Sequence, residues 1–318
     1  MSEFVICSED NLASKYDCVI QPFWFEKVQH GTFEGQKGVS IAYAYVLHPH
    51  SVGSVVISSG RIESLIKYKE VVFDLFENGY SVFIHDHRGQ GLSGRMLTNP
   101  QIGYVDDFYD YVTDFKIFVD EVVTKKTLQK PQLLCHSMGG AIGYLTVLRY
   151  PDLFEKAAFS APMFGIRPSL PNWFAQLLLN LHGTLKKPKA YFFGQQDYNA
   201  QPFLDNELTH SQSRYQIFLQ EYQSSPALQL GGVSGHWLKM AMQAMHEIEQ
   251  NAYRFPIPAL IIQAGADKIV DNKRQDRVVA KMAFTKMIVI EDSKHELLAE
   301  QDKFRIPCMN AILDFFIS

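Results

Sequence analysis

Short apolar runs alternate with stretches of helical periodicity along most of this chain, and this alternation limits the folds open to it. The runs are rich in Val, Ile and Phe, as in strands that are buried on both faces. They cover residues 54–58, 80–86, 131–137, 156–162, 258–265 and 286–292. The stretches of helical periodicity lie at about 64–78, 105–123, 138–149, 271–283 and 303–316. We therefore predict an α/β fold with a mostly parallel central sheet and helices on both faces.

Two segments depart from this alternation. Residues 25–35 and 38–47 have the pattern of an antiparallel hairpin with glycine at its turn. Between residues 163 and 255 no convincing buried strand occurs, and Pro, Gln and aromatic residues become frequent. Because a segment of that length is too long for a loop, we predict a mainly helical cap at 163–255. The cap is inserted between a first core part, 1–162, and a second, 256–318.

The charge and the cysteines exclude several classes of protein. The net charge of -4 gives no basic excess for a nucleic-acid backbone, so we expect no nucleic-acid partner. The first residues do not resemble a secretory signal, and no stretch reaches the roughly 18 apolar residues that span a bilayer. We therefore expect a cytoplasmic protein, in which any membrane contact is a peripheral association with the inner membrane. Four cysteines without a C-x-x-C pair indicate neither a disulfide framework nor zinc.

The stretch "LLCHSMGGA" at 133–141 places Ser137 between the end of a predicted strand and the start of a predicted helix. A nucleophilic serine on such a turn requires small neighbours, and Gly139 and Gly140 provide them. The stretch departs from the pattern Gly-x-Ser-x-Gly at Cys135. An ordinary helix N-cap remains the alternative interpretation of Ser137, because serine favours that position.

Chain order tests the interpretation of Ser137 as a nucleophile, since the acid and then the histidine of such a site follow later strands. Asp267 and His295 each follow a predicted strand, at the carboxyl end where parallel sheets gather functional groups. His295 would accept the proton of Ser137, and Asp267 would orient the imidazole. Asp271 remains a competitor for the role of the acid.

An oxyanion formed at such a site needs two backbone donors. One is the N–H of Met138, the residue after the predicted nucleophile. The other is at or near Arg61, in the loop "SSGRIES" that follows the first core strand, where Gly60 keeps the backbone open.

The stretch "HDHRGQGLSG" at 85–94 raises the question of a metal, because His85 and His87 lie on one face of a strand and could chelate. No further ligands with suitable spacing accompany them. We therefore predict no metal site and a glycine-rich turn anchored by Asp86 and Arg88.

One helical face in the predicted cap is strongly apolar and precedes three lysines. The face consists of Trp173, Phe174, Leu177, Leu178 and Leu181, and the lysines are Lys186, Lys187 and Lys189. Packing within the protein is the commoner explanation of such a face. The alternative is contact with a membrane surface, with the lysines near anionic headgroups.

Several segments together resemble one family. They are "SSGRIESLIKYKEVVFDLFENGYSVFIHDHRGQGLSGR", "GYVDDFYDYVTDF", "CHSMGGAI", "SAPMFGI", "IVDNKRQDR" and "KHELLAEQD", with "LTHSQSRYQ" and "GGVSGHW" in the predicted cap. They are similar to bacterial lysophospholipases of the PldB type, relatives of monoglyceride lipases in the α/β-hydrolase superfamily. The resemblance implies an α/β-hydrolase fold with a lid, no cofactor, and catalytic roles for Ser137, Asp267 and His295. Glu63 matches a glutamate that follows the oxyanion loop.

Two positions depart from that family. Relatives carry glycine or alanine in place of Cys135, and monoglyceride lipases have His-Gly and then small residues where this chain has Ser59-Gly60 followed by Arg61 and Ile62. An arginine there could reach a phosphate. The resemblance implies a serine hydrolase acting on the acyl ester of lysophospholipids or monoacylglycerols. The alternatives are an esterase or thioesterase for small soluble substrates and a non-catalytic binding protein on the same scaffold.

Overall fold

The computed structural model describes residues 4–167, 172–185 and 188–318, with side chains in the second range for 177–183 only. Its strands are β1 (Gln29–Glu34), β2 (Ser40–Val46), β3 (Gly53–Ser58), β4 (Tyr80–His85), β5 (Gln132–His136), β6 (Ala157–Ser160), β7 (Ala259–Ala264) and β8 (Thr285–Ile290). Its helices are α1 (Leu12–Lys15), α2 (Gln21–Glu26), α3 (Lys69–Glu77), α4 (Phe108–Phe118), α5 (Met138–Arg149), α6 (Asn172–Leu185), α7 (Gln212–Ser224), α8 (Gly235–Asn251), α9 (Asn272–Val279) and α10 (Asp302–Ile317).

The strands form one eight-stranded sheet in the described part of the chain, in the order β1-β2-β4-β3-β5-β6-β7-β8. From β4 to β8 along the sheet every neighbouring pair is parallel. β2 pairs antiparallel with β4 and with β1. The mostly parallel sheet is confirmed, and the predicted hairpin forms its β1 edge.

Alternate side chains of the strands enter two separate cores, which is why the strands are apolar at nearly every position. In β3, Val56 belongs to the core formed with α4, α5 and α8. Its neighbours Val55 and Ile57 belong to the core formed with α2, α3 and α10. Helices therefore cover both faces of the sheet, as predicted.

The N-terminal segment contains two helices that the sequence pattern does not predict. α1 and α2 are joined by a single π-helical turn, Tyr16–Ile20. The Phe23 ring packs against the rings of Phe73 and Phe76 in α3, at centroid distances of 5.2 and 5.0 Å. Helices this short are not stable by themselves, so tertiary packing on α3 determines their formation.

The long connection between β6 and β7 is helical where it is described. It contains α6, α7 and α8, and its described residues contribute no strand to the central sheet. The chain returns from it to the neighbouring parallel strand. This agrees with a mainly helical insertion, and its boundaries at 163 and 255 stay a prediction.

The carboxyl ends of the parallel strands lie at one edge of the sheet. Gly60 follows β3, Ser137 follows β5, Asp267 follows β7 and His295 follows β8. The topology therefore brings together residues that are far apart in sequence.

Candidate active site

Ser137 lies on a strained turn between β5 and α5. Its backbone angles are φ 51° and ψ -119°, in a region that residues with a side chain rarely adopt. A Cβ on Gly139 would lie 2.1 Å from the carbonyl oxygen of Ser58, and a Cβ on Gly140 would lie 2.7 Å from Pro162. Both positions therefore require glycine. Ser137 makes no side-chain cap to α5, so the N-cap interpretation of its hydroxyl is wrong.

Cys135 is accommodated by a glycine on the neighbouring helix. The residue is fully buried, and a Cβ on Gly143 of α5 would lie 2.4 Å from its sulfur. A side chain at position 135 therefore fits because α5 has none at position 143. Burial raises the pKa of the Cys135 thiol well above its usual value, which keeps the thiol protonated and unreactive.

His295 is hydrogen-bonded at both ring nitrogens. Its Nδ1 lies 2.7 Å from Asp267 Oδ2, and its Nε2 lies 2.8 Å from Ser137 Oγ. An ionised carboxylate can only accept, so Nδ1 carries the proton and Nε2 accepts from the hydroxyl. The structure thus places the three predicted residues in one hydrogen-bonded row.

Asp267 is held in place by its own backbone partners. Its Oδ1 accepts from the N–H groups of Ile269 and Val270 at 2.7 and 3.0 Å. Burial opposes ionisation, but the hydrogen bond and charge of His295 and the two N–H groups outweigh it, and the pKa of Asp267 lies below its usual value. Asp271 instead is the N-cap residue of α9, and its carboxylate accepts from the N–H of Arg274 at 3.4 Å. The row therefore contains Asp267 and not Asp271.

His136 packs against the row without adding charge to it. Its ring centroid lies 4.9 Å from that of His295, and its Nδ1 donates to the carbonyl of Ser160 at 3.1 Å. Burial lowers the pKa of His136 to about 4. The ring is therefore neutral at neutral pH and does not repel a proton arriving on His295.

The loop after β3, in which an oxyanion donor is predicted, is held by Glu63. The N–H of Gly60 donates to Glu63 Oε2 at 2.5 Å, and a Cβ on Gly60 would lie 2.7 Å from the same oxygen. Because this N–H is occupied, that of Arg61 is the next donor along the loop. Met138 supplies the second candidate, since it begins α5 and the first N–H groups of a helix lack intrahelical acceptors. Both assignments stay predictions.

The same loop is also held from the connection between β6 and β7. Ile62 has φ 65°, which is uncommon for a β-branched residue. The hydroxyl of Tyr222 in α7 donates to the carbonyl of Ile62 at 2.7 Å. A helix of the predicted cap therefore contributes to the shape of the predicted oxyanion loop.

Lys67 connects this loop to the residue after His295, a link that sequence reasoning missed. Its Nζ lies 2.9 Å from Glu63 Oε1 and 2.5 Å from Glu296 Oε1, and all three side chains are at most 10% exposed. Burial opposes the charge of Glu63, but Lys67 and His136 outweigh it and lower the pKa of Glu63 to about 2. The spacing of four residues between Glu63 and Lys67 is a sequence signal for the ion pair between them, but not for the pair of Lys67 with Glu296.

His85 and His87 are buried side by side, with ring centroids 4.7 Å apart. Burial lowers the pKa of His87 to about 4 and lowers the pKa of His85 well below its usual value. The predicted turn is anchored by Asp86, which accepts from the N–H of Leu92 at 2.7 Å, whereas Arg88 bonds to Asp114 of α4.

Ligand-type side chains come close together elsewhere in the protein. Among the described residues, the atoms of Cys7, Glu70 and Asp74 lie within 4.8 Å of one another. Both carboxylates already pair with arginines, Glu70 with Arg214 and Asp74 with Arg305. These ion pairs explain the cluster without a metal.

The apolar face predicted near residue 173 lies on α6. The structure does not describe the side chains of Trp173 and Phe174. Lys186 and Lys187 lie outside the described residues. Leu177 and Leu181 are 53% and 45% exposed and Leu178 is partly buried, whereas Leu179, which is not part of the predicted face, is buried. Leu177 and Leu181 therefore contribute apolar area to the protein surface.

Known proteins are similar to this chain over most of its length. Residues 49–302 match the family model described as Serine aminopeptidase, S33. Lysophospholipase L2 of Escherichia coli K12 is 36% identical over 304 residues, which cover 92% of this chain and 88% of the relative. A probable lysophospholipase L2 of Haemophilus influenzae is 31% identical over 296 residues, covering 92% and 93%.

Solved structures share the fold. A soluble variant of monoglyceride lipase from Saccharomyces cerevisiae, in complex with a substrate analog, superposes with a TM-score of 0.71 and 20% identity. The superposition covers 91% of this chain and 93% of that one. The fold is therefore that of the α/β-hydrolases, and by sequence the chain belongs to the Serine aminopeptidase, S33 family, within which it is related to the lysophospholipases L2.

Proposed function

We propose that this protein is a serine hydrolase that removes the acyl chain of a lysophospholipid through a covalent acyl-enzyme. The reaction class rests on the row from Ser137 through His295 to Asp267, with distances of 2.8 and 2.7 Å. A serine hydroxyl is a weak nucleophile, and a neutral imidazole at hydrogen-bond distance is the group that activates it. The chemistry requires no metal or cofactor.

Each residue of the row has a defined step. Ser137 Oγ attacks the ester carbonyl carbon while its proton passes to His295 Nε2, and Asp267 stabilises the imidazolium. The carbonyl oxygen becomes an oxyanion that accepts from the N–H groups of Arg61 and Met138. His295 then protonates the departing glycerol oxygen, which leaves the acyl group on Ser137. A water molecule, deprotonated by His295, releases the fatty acid by the same steps.

The substrate class rests on the extent of the sequence similarity. The identity of 36% to Lysophospholipase L2 extends over 92% of this chain. It therefore includes much of the connection between β6 and β7, where hydrolases of this fold determine which substrate enters. A monoacylglycerol, which has the same single acyl ester and no phosphate, is the second candidate substrate.

A panel of lipids with the same acyl chain tests the substrate class. We expect the purified protein to hydrolyse 1-palmitoyl lysophosphatidylethanolamine and 1-palmitoylglycerol in mixed micelles, and dipalmitoyl phosphatidylethanolamine much more slowly. Released palmitate is measured in each case. A kcat/KM that is highest for a short soluble ester would make the protein a soluble esterase, and absence of turnover on all of them would favour a binding protein.

A peripheral membrane contact, made from the cytoplasm, also belongs to this proposal. No helix among the described residues is long and apolar enough to cross a bilayer. Leu177 and Leu181, one turn apart on α6, expose about half of their surface, and Lys189 is exposed shortly after the helix. Apolar area moved into lipid contributes roughly 25 cal/mol per Å², and lysines add attraction to anionic headgroups.

Introducing negative charge on this face tests the membrane contact. We expect Leu177→Glu with Leu181→Glu to weaken cosedimentation with vesicles containing phosphatidylglycerol and to slow hydrolysis of micellar substrate several-fold. Hydrolysis of a short soluble ester should be largely retained. Leu128→Glu is the matched control, since Leu128 is fully exposed but precedes β5, at the opposite edge of the sheet from Ser137. Equal losses with micellar and soluble substrates would argue against the contact.

A further inference from the structure

The side chain of Arg61 extends from the predicted oxyanion loop to a wall made by two other segments. Its Nη1 donates to the carbonyl of Gly231 at 2.9 Å. Its guanidinium carbon lies 5.9 Å from the ring centroid of Trp237, in the first turn of α8. A Cβ on Gly103 would lie 3.4 Å from Nη1, so the backbone of Gly103 also passes close to the guanidinium.

Arg61 lacks an acidic partner, a feature that it shares among the described residues with the partly buried Arg95 but not with the buried arginines. Arg88, Arg214 and Arg305 each form ion pairs with buried carboxylates. Within the described ranges no carboxylate lies within 4.0 Å of the Arg61 guanidinium. The nearby Asp197 accepts from the hydroxyl of Tyr191 and from Asn99 instead.

The guanidinium stays charged in this position. Burial lowers the pKa of Arg61 to about 10, which leaves it protonated at neutral pH. It has five N–H donors, and the carbonyl of Gly231 engages one of its nitrogens. The residue as a whole is partly exposed to solvent. A cation in the protein interior without a counter-ion is the expected state of a site that binds an anionic group of a ligand.

We propose that the Arg61 side chain is the subsite for the phosphate of a glycerophosphodiester headgroup, and so determines the preference for lysophospholipids. The inference rests on the proposed function. In a 1-acyl lysophospholipid the three-carbon glycerol separates the reacting ester from the phosphate. Arg61 would therefore contact both ends of that unit, the oxyanion through its backbone N–H and the phosphate through its guanidinium, whose planar set of donors suits phosphate oxygens.

Comparing a charged with an uncharged substrate tests this subsite. The substrates are 1-palmitoyl lysophosphatidylethanolamine and 1-palmitoylglycerol in the same detergent micelles. We expect Arg61→Met to lower the ratio of their kcat/KM values, charged over uncharged, by on the order of tenfold or more. Arg61→Lys, which keeps the charge without the planar donors, should give an intermediate ratio. A ratio unchanged by Arg61→Met would overturn the proposal.

Arg95→Met is the matched control for loosening of the cap contact. Arg95 Nη2 donates to the carbonyl of Ala227, in the same stretch of chain as Gly231. Its replacement removes an equivalent arginine–carbonyl bond, and we expect the ratio of the two kcat/KM values to stay at the wild-type value. A ratio that falls equally in both variants would assign the effect to cap structure and contradict a headgroup subsite.

Inhibition distinguishes failure of this inference from failure of the proposed function, because it needs no turnover of a lysophospholipid. With a soluble ester as substrate, we expect glycerophosphoethanolamine to inhibit the wild type competitively and to inhibit Arg61→Met at least several-fold more weakly. Inorganic phosphate should inhibit much less. Equal, Arg61-dependent inhibition by inorganic phosphate would define a general phosphate site and overturn the headgroup assignment, as would inhibition that does not depend on Arg61.

Discussion

Replacing Ser137 with alanine is expected to lower kcat for ester hydrolysis by a factor on the order of a thousand or more, because no other described hydroxyl has the contact to His295 Nε2 that activates Ser137. The variant should fold normally. Its side chain loses a single hydrogen bond, and alanine keeps the Cβ that the turn already accommodates. Release of fatty acid from the preferred lipid, together with the thermal unfolding midpoint, measures both effects.

Ser54→Ala is the control for the loss of a serine hydroxyl inside the protein. Ser54 is buried near the start of β3, at the opposite end of the strand from the site. Its hydroxyl lies 3.2 Å from the hydroxyl of Thr127. This variant should keep wild-type kcat. If Ser137→Ala retained most of the activity, the nucleophile would have to be another residue.

Asp267→Asn is expected to lower kcat by about three to four orders of magnitude. An amide at this position is neutral, so it stabilises the imidazolium poorly. It also favours the imidazole tautomer in which Nε2, the atom beside Ser137, carries the proton and cannot accept another. Because the pKa of Asp267 lies below its usual value, the wild-type carboxylate stays charged even at mildly acidic pH. In an assay run from about pH 6 to about pH 8, the loss of kcat in the variant should therefore persist at every pH.

Asp271→Asn provides the matched comparison, since it makes the same change four residues away. Asp271 caps α9, and asparagine is also a good N-cap, so we expect nearly unchanged stability and at most a few-fold loss of kcat. The opposite ranking of the two variants would transfer the role of the acid to Asp271.

Local pattern was sufficient to predict the sheet and the positions of the three residues in the row. Apolar runs that are buried on both faces, such as β5 and β7, have one dominant sequence signature, and functional groups of parallel sheets follow the carboxyl ends of strands. Ser137, Asp267 and His295 could therefore be located without knowing which strands are neighbours. That the three residues contact one another became visible only from the order of the strands in the sheet.

Interactions between distant segments were not accessible from pattern. Glu296 pairs with Lys67 across 229 residues, and nothing in the spacing of either residue indicates the other. Likewise, Gly143 explains why Cys135 fits beside α5, but the pair becomes visible only when the helix lies on the strand. The fit of a side chain depends on what faces it, which a linear motif does not record.

The helices α1 and α2 were missed for a related reason. They have four and six residues, too few to establish a helical period. Their stability comes from contacts such as that between Phe23 and Phe73, which are 50 positions apart in the numbering. The π-helical turn between them also shifts the periodicity, so that their apolar residues do not form a regular stripe.

Covalent labelling with a fluorophosphonate tests the central claim, the nucleophilic role of Ser137, most directly. The serine oxygen should displace fluoride from phosphorus, and peptide mass spectrometry should locate a single adduct on Ser137 while hydrolysis is lost in proportion to labelling. Ser137→Ala should not react, and Asp267→Asn should react much more slowly. An adduct on a different residue that accompanies the loss of activity, or full activity in a protein completely labelled at Ser137, would contradict the account.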